Sequence, residues 1–359
     1  MRALALLIVT MFAMPPLAAE AWAAKIGLSL PLSGRYAPIG KKIDFGVLQA
    51  IEDHARQGGE RPELVIVDDA CTAEDFGPKA EALADPQIRI VIGLPCFGPA
   101  FALAETLDVP IIAAGLRHPE TATRGTEAGK LWVLGPDGDA EARAIADGVL
   151  ARWRDRPFAL LDDGSVYGRS LSDRLRSLAR ERGLKPIESA TFRPLQSNQA
   201  ALVRRLARSG VEAIFVAGDA EDAATFARNA ARMAPDMAVA TGETGALVPF
   251  LDTPPPGGLL VVARPARRNE PKASILVERF ENLAVPPDDG ILEGYALAQI
   301  ALDVLAGQPV AGRTHRTVVG DVTFGGDRRA VTAPFRVFRW NGARLEDIAA
   351  ESDSASPAE

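Results

Sequence analysis

The chain has 359 residues, 40 basic and 47 acidic side chains, a formal charge of −7 and 47% apolar residues. The mild acidity is spread along the chain, which argues against nucleic acid or an anionic membrane surface as partner. Two cysteines and three histidines leave little for a metal centre, and none is expected.

In chain order the first segment is MRALALLIVTMFAMPPLAAEAWAAK. A single positive charge at Arg2, an apolar stretch from Ala3 to about Met14, a stop at Pro15-Pro16 and small residues around Ala21-Trp22-Ala23 are the layout of a secretory signal peptide over 1–23. The first cysteine, Cys71, is far from the cleavage point, so no lipid anchor is expected and the mature protein is assigned to an oxidising space such as a bacterial periplasm. After the signal no apolar run reaches the roughly 18 residues of a membrane span. The remaining chain of about 335 residues exceeds what one core usually serves, so two domains are expected.

From Lys25 onward, apolar runs alternate with segments of helical spacing. KIGLSLP, ELVIVDD, IRIVIG and VPIIAA read as strands, then PFALLDD, EAIFVAG, MAVAT and GLLVVA. Between them FGVLQAIEDHARQGG, LSDRLRSLARERG and NQAALVRRLARSG read as helices that stop at glycine after basic residues. Such alternation means parallel sheets of right-handed βαβ units, in one series from about 25 to 115 and another from about 157 to 262. Each series opens with a strand, a Gly/Ser/Tyr turn (LSGRYAPIG, then DDGSVYG) and a helix, and the carboxyl ends of such strands are where α/β sheets bind ligands. After residue 265 the pattern changes: ILEGYALAQIALDVLAG reads as a helix, and DVTFGGDRRAVTAPFRVFRWNG as two strands around a polar turn. The end, EDIAAESDSASPAE, reads as a frayed tail.

The order of LSLPLSGRYAPIG, VDDACTAEDF, VIGLPCFG, AAGLRHPET, LDDGSVYGRSL, TGETG, EGYALAQ and GDVTFGGDRRAVTAPFRVFRW resembles the periplasmic substrate-binding proteins of ABC importers, in the branched-chain amino-acid (Leu/Ile/Val-binding) class. The resemblance spans nearly the whole mature chain. It implies the type I periplasmic binding protein fold: two Rossmann-like α/β lobes with parallel sheets flanked by helices, joined by a multi-strand hinge, with a ligand held between them. On that pattern the N-terminal lobe is 24–136 plus 266–333, the C-terminal lobe is 137–265 plus 334–350, and 351–359 is a disordered tail. It also implies a disulfide between Cys71 and Cys96, a closure that would stabilise the first lobe by roughly 3 kcal/mol.

A free amino acid needs donors for its carboxylate, which helix N-termini and loop amides supply, and an acid for its ammonium. The resemblance assigns the donors to Phe97-Gly98 and to Gly115-Leu116-Arg117, and an aromatic wall and acid to Tyr167 and Glu243. Departures are visible. Phe97 stands where a serine is common and Arg117 where a threonine is usual; the guanidinium of Arg117 offers a bidentate clamp for a carboxylate. Ile39 and Asp219-Ala220 replace common aromatics, with Tyr36 a substitute three residues earlier. These changes leave Leu/Ile/Val specificity open. The ligand is an amino acid or related amine if Glu243 faces the cleft, and an aromatic or aliphatic carboxylate without an ammonium if Arg117 and Phe97 dominate. Expected partners are that small molecule and an inner-membrane ABC permease; a monomer without cofactor is expected, and a ligand sensor is the alternative use of the scaffold. An enzyme is disfavoured, since there is no G-x-S-x-G elbow, Walker A loop or GxGxxG after a strand, and His118 with Asp162-Asp163 makes a poor acid–base set.

Overall fold

The structure is a computed structural model that describes residues 24–72, 76–116 and 129–348. The segment 1–23 read as a signal peptide, Arg117, His118 and residues 349–359 lie outside the described residues, whereas Glu346 and Asp347, read as the start of a frayed tail, belong to the paired strand Leu345–Asp347.

The first sheet collects β1 (Lys25–Leu30), β2 (Glu63–Asp68), β3 (Ile88–Gly93), β4 (Ile111–Ala114) and β5 (Leu131–Leu134) in the order β2-β1-β3-β4-β5, all parallel. Both faces are covered, and each strand therefore carries apolar residues on both. In β3, Ile90 and Ile92 enter the core beneath α1 (Ala37–Arg56) and α9 (Asp289–Leu305). Ile88 and Val91 enter the opposite core, with Phe76 of α2 (Phe76–Glu81) and Phe101 and Leu103 of α3 (Phe97–Thr106). Helices α1 and α9 touch backbone to backbone. A Cβ on Gly46 would lie 2.0 Å from the Ile291 carbonyl oxygen, and one on Gly294 would lie 2.2 Å from that of Ile43. Only glycine allows that approach.

The second sheet is β7-β6-β8-β9-β10-β14-β15, built from β6 (Phe158–Asp162), β7 (Glu188–Thr191), β8 (Ala213–Ala217), β9 (Ala238–Thr241), β10 (Leu260–Ala263), β14 (Arg336–Trp340) and β15 (Leu345–Asp347). Its last two strands run antiparallel to their neighbours. One face packs on α4 (Ala140–Gly148) and α5 (Val166–Glu181), the other on α6 (Ala200–Arg208) and α7 (Ala220–Met233). Helix α8 (Ser274–Asn282) returns to the first core through Leu276 and Phe280.

The chain passes between the sheets three times: after β5, after β10, and between β13 (Arg329–Ala330) and β14. The structure corrects the reading of DVTFGGDRRAVTAPFRVFRWNG as one strand–turn–strand unit. Its first strand, β12 (Gly320–Thr323), pairs with β11 (Thr314–Thr317) in a separate hairpin; β13 then joins β5 in the first sheet, and β14 joins β10 in the second. Three short pieces thus pair with three different partners, which local periodicity cannot reveal. The strands β5 and β7 also add to those read from sequence. The disulfide is present, linking the loop after β2 to the N-terminus of α3 across a sequence separation of 25, with Cα atoms 5.3 Å apart. Within the β11–β12 hairpin His315 is fully buried, 2.8 Å from Asp303 Oδ2 and 3.1 Å from the Val310 carbonyl, which makes it a packing residue.

Candidate functional site

At the carboxyl ends of the first sheet, the extended Cys96 turns directly into α3, so Phe97 and Gly98 occupy its first turn. Amides in that turn lack intrahelical acceptors, and the helix dipole adds to their pull on an anion. The Phe97 ring stacks at 4.3 Å on Phe101. Tyr36 precedes α1, with the Arg35 guanidinium over its ring at 4.5 Å. The next loop offers less than expected. Gly115, at φ 64°, gives its N–H to the Leu134 carbonyl at 2.9 Å, which extends the ladder between β4 and β5. Leu116 is buried, and its carbonyl accepts from Arg329 at 3.2 Å. The same guanidinium nitrogen reaches the Pro136 carbonyl at 3.1 Å, so the buried Arg329 ties the loops after β4 and β5 together. Burial lowers its pKa, while Asp137 and Asp327 oppose the shift.

At the carboxyl ends of the second sheet, Ser165 caps α5 through its hydroxyl, which accepts from the Gly168 amide at 3.0 Å and fixes where the helix begins. Tyr167 therefore falls in the first turn, and its hydroxyl donates to Glu141 Oε1 at 2.7 Å. Glu243 follows β9 and opens a 3₁₀ segment, Glu243–Phe250; its amide donates to the same Glu141 oxygen, also at 2.7 Å. Glu141 is buried in the first turn of α4. Three loops distant in sequence thus meet on one carboxylate oxygen.

The Glu243 carboxylate is engaged by Arg264, whose Nε donates at 2.7 Å. Arg264 also lies 3.5 Å from Glu293 of α9, and Arg267 lies 3.3 Å from the same acid. The Arg267 amide donates to Asp289 at 2.8 Å. Burial pulls the Arg264 pKa down, but Glu243 and Glu293 outweigh it and the net shift is upward. Burial raises the pKa of Asp289. This ionic chain runs from the second sheet along the crossing after β10 to a helix of the first core, and so spans both lobes.

The site residues expected from sequence therefore form two groups. Tyr36, Phe97, Gly98, Gly115 and Leu116 stand at strand ends of the first sheet; Tyr167 and Glu243 stand at those of the second and converge on Glu141. Sequence reasoning missed Glu141, Arg264, Glu293 and Arg329. Arg264 had a signal, since it directly follows GLLVVA at a strand's carboxyl end; Glu141 looks like any first-turn acid. A cavity of about 380 Å³ lies elsewhere, among Pro265, Arg267, Thr332, Pro334, Arg336 and Phe338 where two crossings run side by side. Among the described residues no cluster suited to a metal ion occurs, and no helix is long and apolar enough to cross a membrane.

A family model described as periplasmic binding protein matches residues 23–344. Among curated relatives, Leu/Ile/Val-binding protein homolog 3 of Brucella melitensis is 24% identical over 89% of this chain and 92% of its own. An ABC transporter substrate-binding protein from Desulfitobacterium hafniense, solved in complex with Leu, superposes with a TM-score of 0.67 at 18% identity, covering 90% of this chain and 99% of that one. A solute-binding protein of an ABC transporter from R. palustris, solved with benzoate, gives 0.64 at 16% identity over 91% and 96%. At these identities the solved structures establish the shared fold alone.

Proposed function

This chain belongs to the periplasmic binding protein family, and from that membership we propose that it is the solute-binding component of an ABC importer, capturing an amino acid or related small carboxylate between its lobes. What supports this reading is the chemistry at the strand ends of each sheet. The first turn of α3 offers amide donors to a carboxylate, and the second lobe presents Tyr167, Glu141 and Glu243. Binding rather than catalysis fits a site whose polar groups are already fixed by one another. Delivery to a permease, periplasmic residence after removal of 1–23 and action as a monomer complete the proposal.

Capture works by hinge closure. The lobes, joined by three crossings, sample open and closed arrangements, and a solute that touches both favours the closed one through its extra contacts. Arg117 would add a clamp to the carboxylate from the first lobe.

A second reading is favoured by one observation: Glu243, the acid expected to meet an ammonium, already holds Arg264 at 2.7 Å. A ligand amine must share that carboxylate with a tethered guanidinium, whereas a carboxylate without an amine meets no such competitor. Thermal-shift and calorimetric screening against both classes tests the proposal, because binding to the native state raises the melting temperature by mass action. At least one member of the two classes should bind with micromolar affinity or better; failure of all refutes the ligand class. Glu243→Gln separates the readings. It should weaken an amine ligand tenfold or more, equivalent to about 1.4 kcal/mol, and leave a solute without an ammonium unaffected or tighter.

A further inference from the structure

We propose that the Cys71–Cys96 disulfide is a thiol-exchange site, opened in the folded protein by a small thiol or dithiol that attacks Cys71 and expels Cys96, and that its opening lowers solute affinity. Only the effect on affinity rests on the reading above of the first turn of α3 as a carboxylate site.

Position separates the two sulfurs. Cys96 is the N-cap of the ten-residue α3, and its side chain makes no capping hydrogen bond. A thiolate released there meets first-turn amides that lack intrahelical acceptors and the positive end of the helix dipole, which stabilise a negative sulfur and favour its departure. Cys71 caps no helix. It closes the turn after β2, where Ala70 at φ 47° and Cys71 at φ 58° are successive non-glycine residues in the left-handed region. Neither cysteine is fully buried, which leaves the bridge within reach of a small thiol. The step balances as ordinary exchange. A thiolate bonds to Cys71 Sγ as the bond to Cys96 breaks, and the electron pair leaves on Cys96 Sγ, which takes a proton from water. The second sulfur of a dithiol then displaces Cys71 and closes the reagent's own disulfide, which completes the reduction.

The bridge also carries a fixed point from one strand end to another. Asp68 Oδ1 accepts the amides of Leu32 at 2.8 Å and Ser33 at 3.2 Å in the loop after β1, and that of Ala70 at 3.0 Å. The fully buried Asp69 accepts the Cys71 amide and the Ser29 hydroxyl of β1, each at 2.9 Å. These bonds hold the turn after β2 on β1 and its loop. Strands β2 and β3 do not pair with each other, so the disulfide joins that turn to a helix start two strands away. Opening it leaves the turn bonded and frees the first turn of α3, with Phe97 and Gly98, from its anchor. A solute held by that turn opposes the opening, and by linkage the opening weakens the solute by the same factor.

The test uses the mature full chain without denaturant. Glutathione, quenched with acid and mapped by peptide mass spectrometry, should form its mixed disulfide on Cys71. Dithiothreitol followed by iodoacetamide should label both cysteines while the far-ultraviolet circular dichroism is retained. Saturating leucine or benzoate, whichever binds, should slow that labelling by about threefold or more. The reduced protein and the Cys71→Ser, Cys96→Ser double variant should each bind the same compound about threefold or more weakly by calorimetry. A bridge that resists both thiols until the protein unfolds, or a glutathione adduct carried by Cys96, overturns the exchange site. Labelling without protection and with unchanged affinity overturns its coupling to the solute. Absence of binding by both compounds counts against the cleft reading, while the glutathione result still decides the exchange site.

Discussion

Asp53 on α1 is the clearest single residue through which pH acts on this fold. Burial would raise its pKa, but hydrogen bonds from Arg279 at 2.8 Å and from the Tyr295 hydroxyl at 2.8 Å outweigh that and hold it below the usual carboxylate range. An acid whose folded pKa lies below its unfolded value contributes stability that is complete above the unfolded pKa and is lost as pH falls through the folded one. Asp53→Asn should therefore lower stability at neutral pH by about 1–3 kcal/mol, the range for a hydrogen bond to a charged group. The deficit should shrink as pH falls below about 4, where unfolded aspartate begins to protonate. Melting curves of both proteins from pH 7 to pH 3 check this; a deficit that stays constant over that range refutes the assignment. Single residues also mark the limit of reading the site from sequence. The strand-end positions of Tyr167 and Glu243 are legible because each follows the turn after a strand. Glu141 is not, and Arg264 is legible only by its place directly after a strand, since the partners of both lie across sequence gaps that no spacing encodes.

At the scale of elements, the packing of α1 on α9 is the contact with the least room. Gly294→Val would force a branched side chain against the Ile43 carbonyl and separate the two helices, where even the first added carbon overlaps. Overpacking of this kind costs about 1–3 kcal/mol and more where backbone must move. The expected outcome is a melting temperature several degrees lower, measured by circular dichroism, while Gly307→Ala changes far less because a Cβ there meets nothing within 4 Å, even with the strain of its φ of 83°. These helices and most parallel strands were legible, because long amphipathic periods and buried Val/Ile runs declare themselves locally. The ESAT strand β7 was not, being half exposed and polar at a sheet edge. The late strands were misassigned because β13 has two residues and takes its partner from β5, far back in the chain.

For the whole molecule, the disulfide and the lobes make a joint prediction. Cys71 and Cys96 bind neighbouring strand-end loops in the first lobe. Replacing both by serine removes a constraint on the unfolded chain worth about 3–4 kcal/mol in the entropy model. Thermal unfolding followed by calorimetry should then show the first lobe melting earlier, by about 6–12 °C, with the second lobe little affected. A single unshifted transition would mean that the bridge contributes nothing.

The three strands of chain that run between the sheets have a topological consequence. Cutting any one of them leaves the halves tied by two others, so a nick there severs the polypeptide without releasing a fragment. Neither half is a contiguous stretch of sequence, and the first cannot be completed until its last strand, β13, has been synthesised, after nearly all of the second has emerged. The first sheet therefore closes only when nearly the whole thread is available to it.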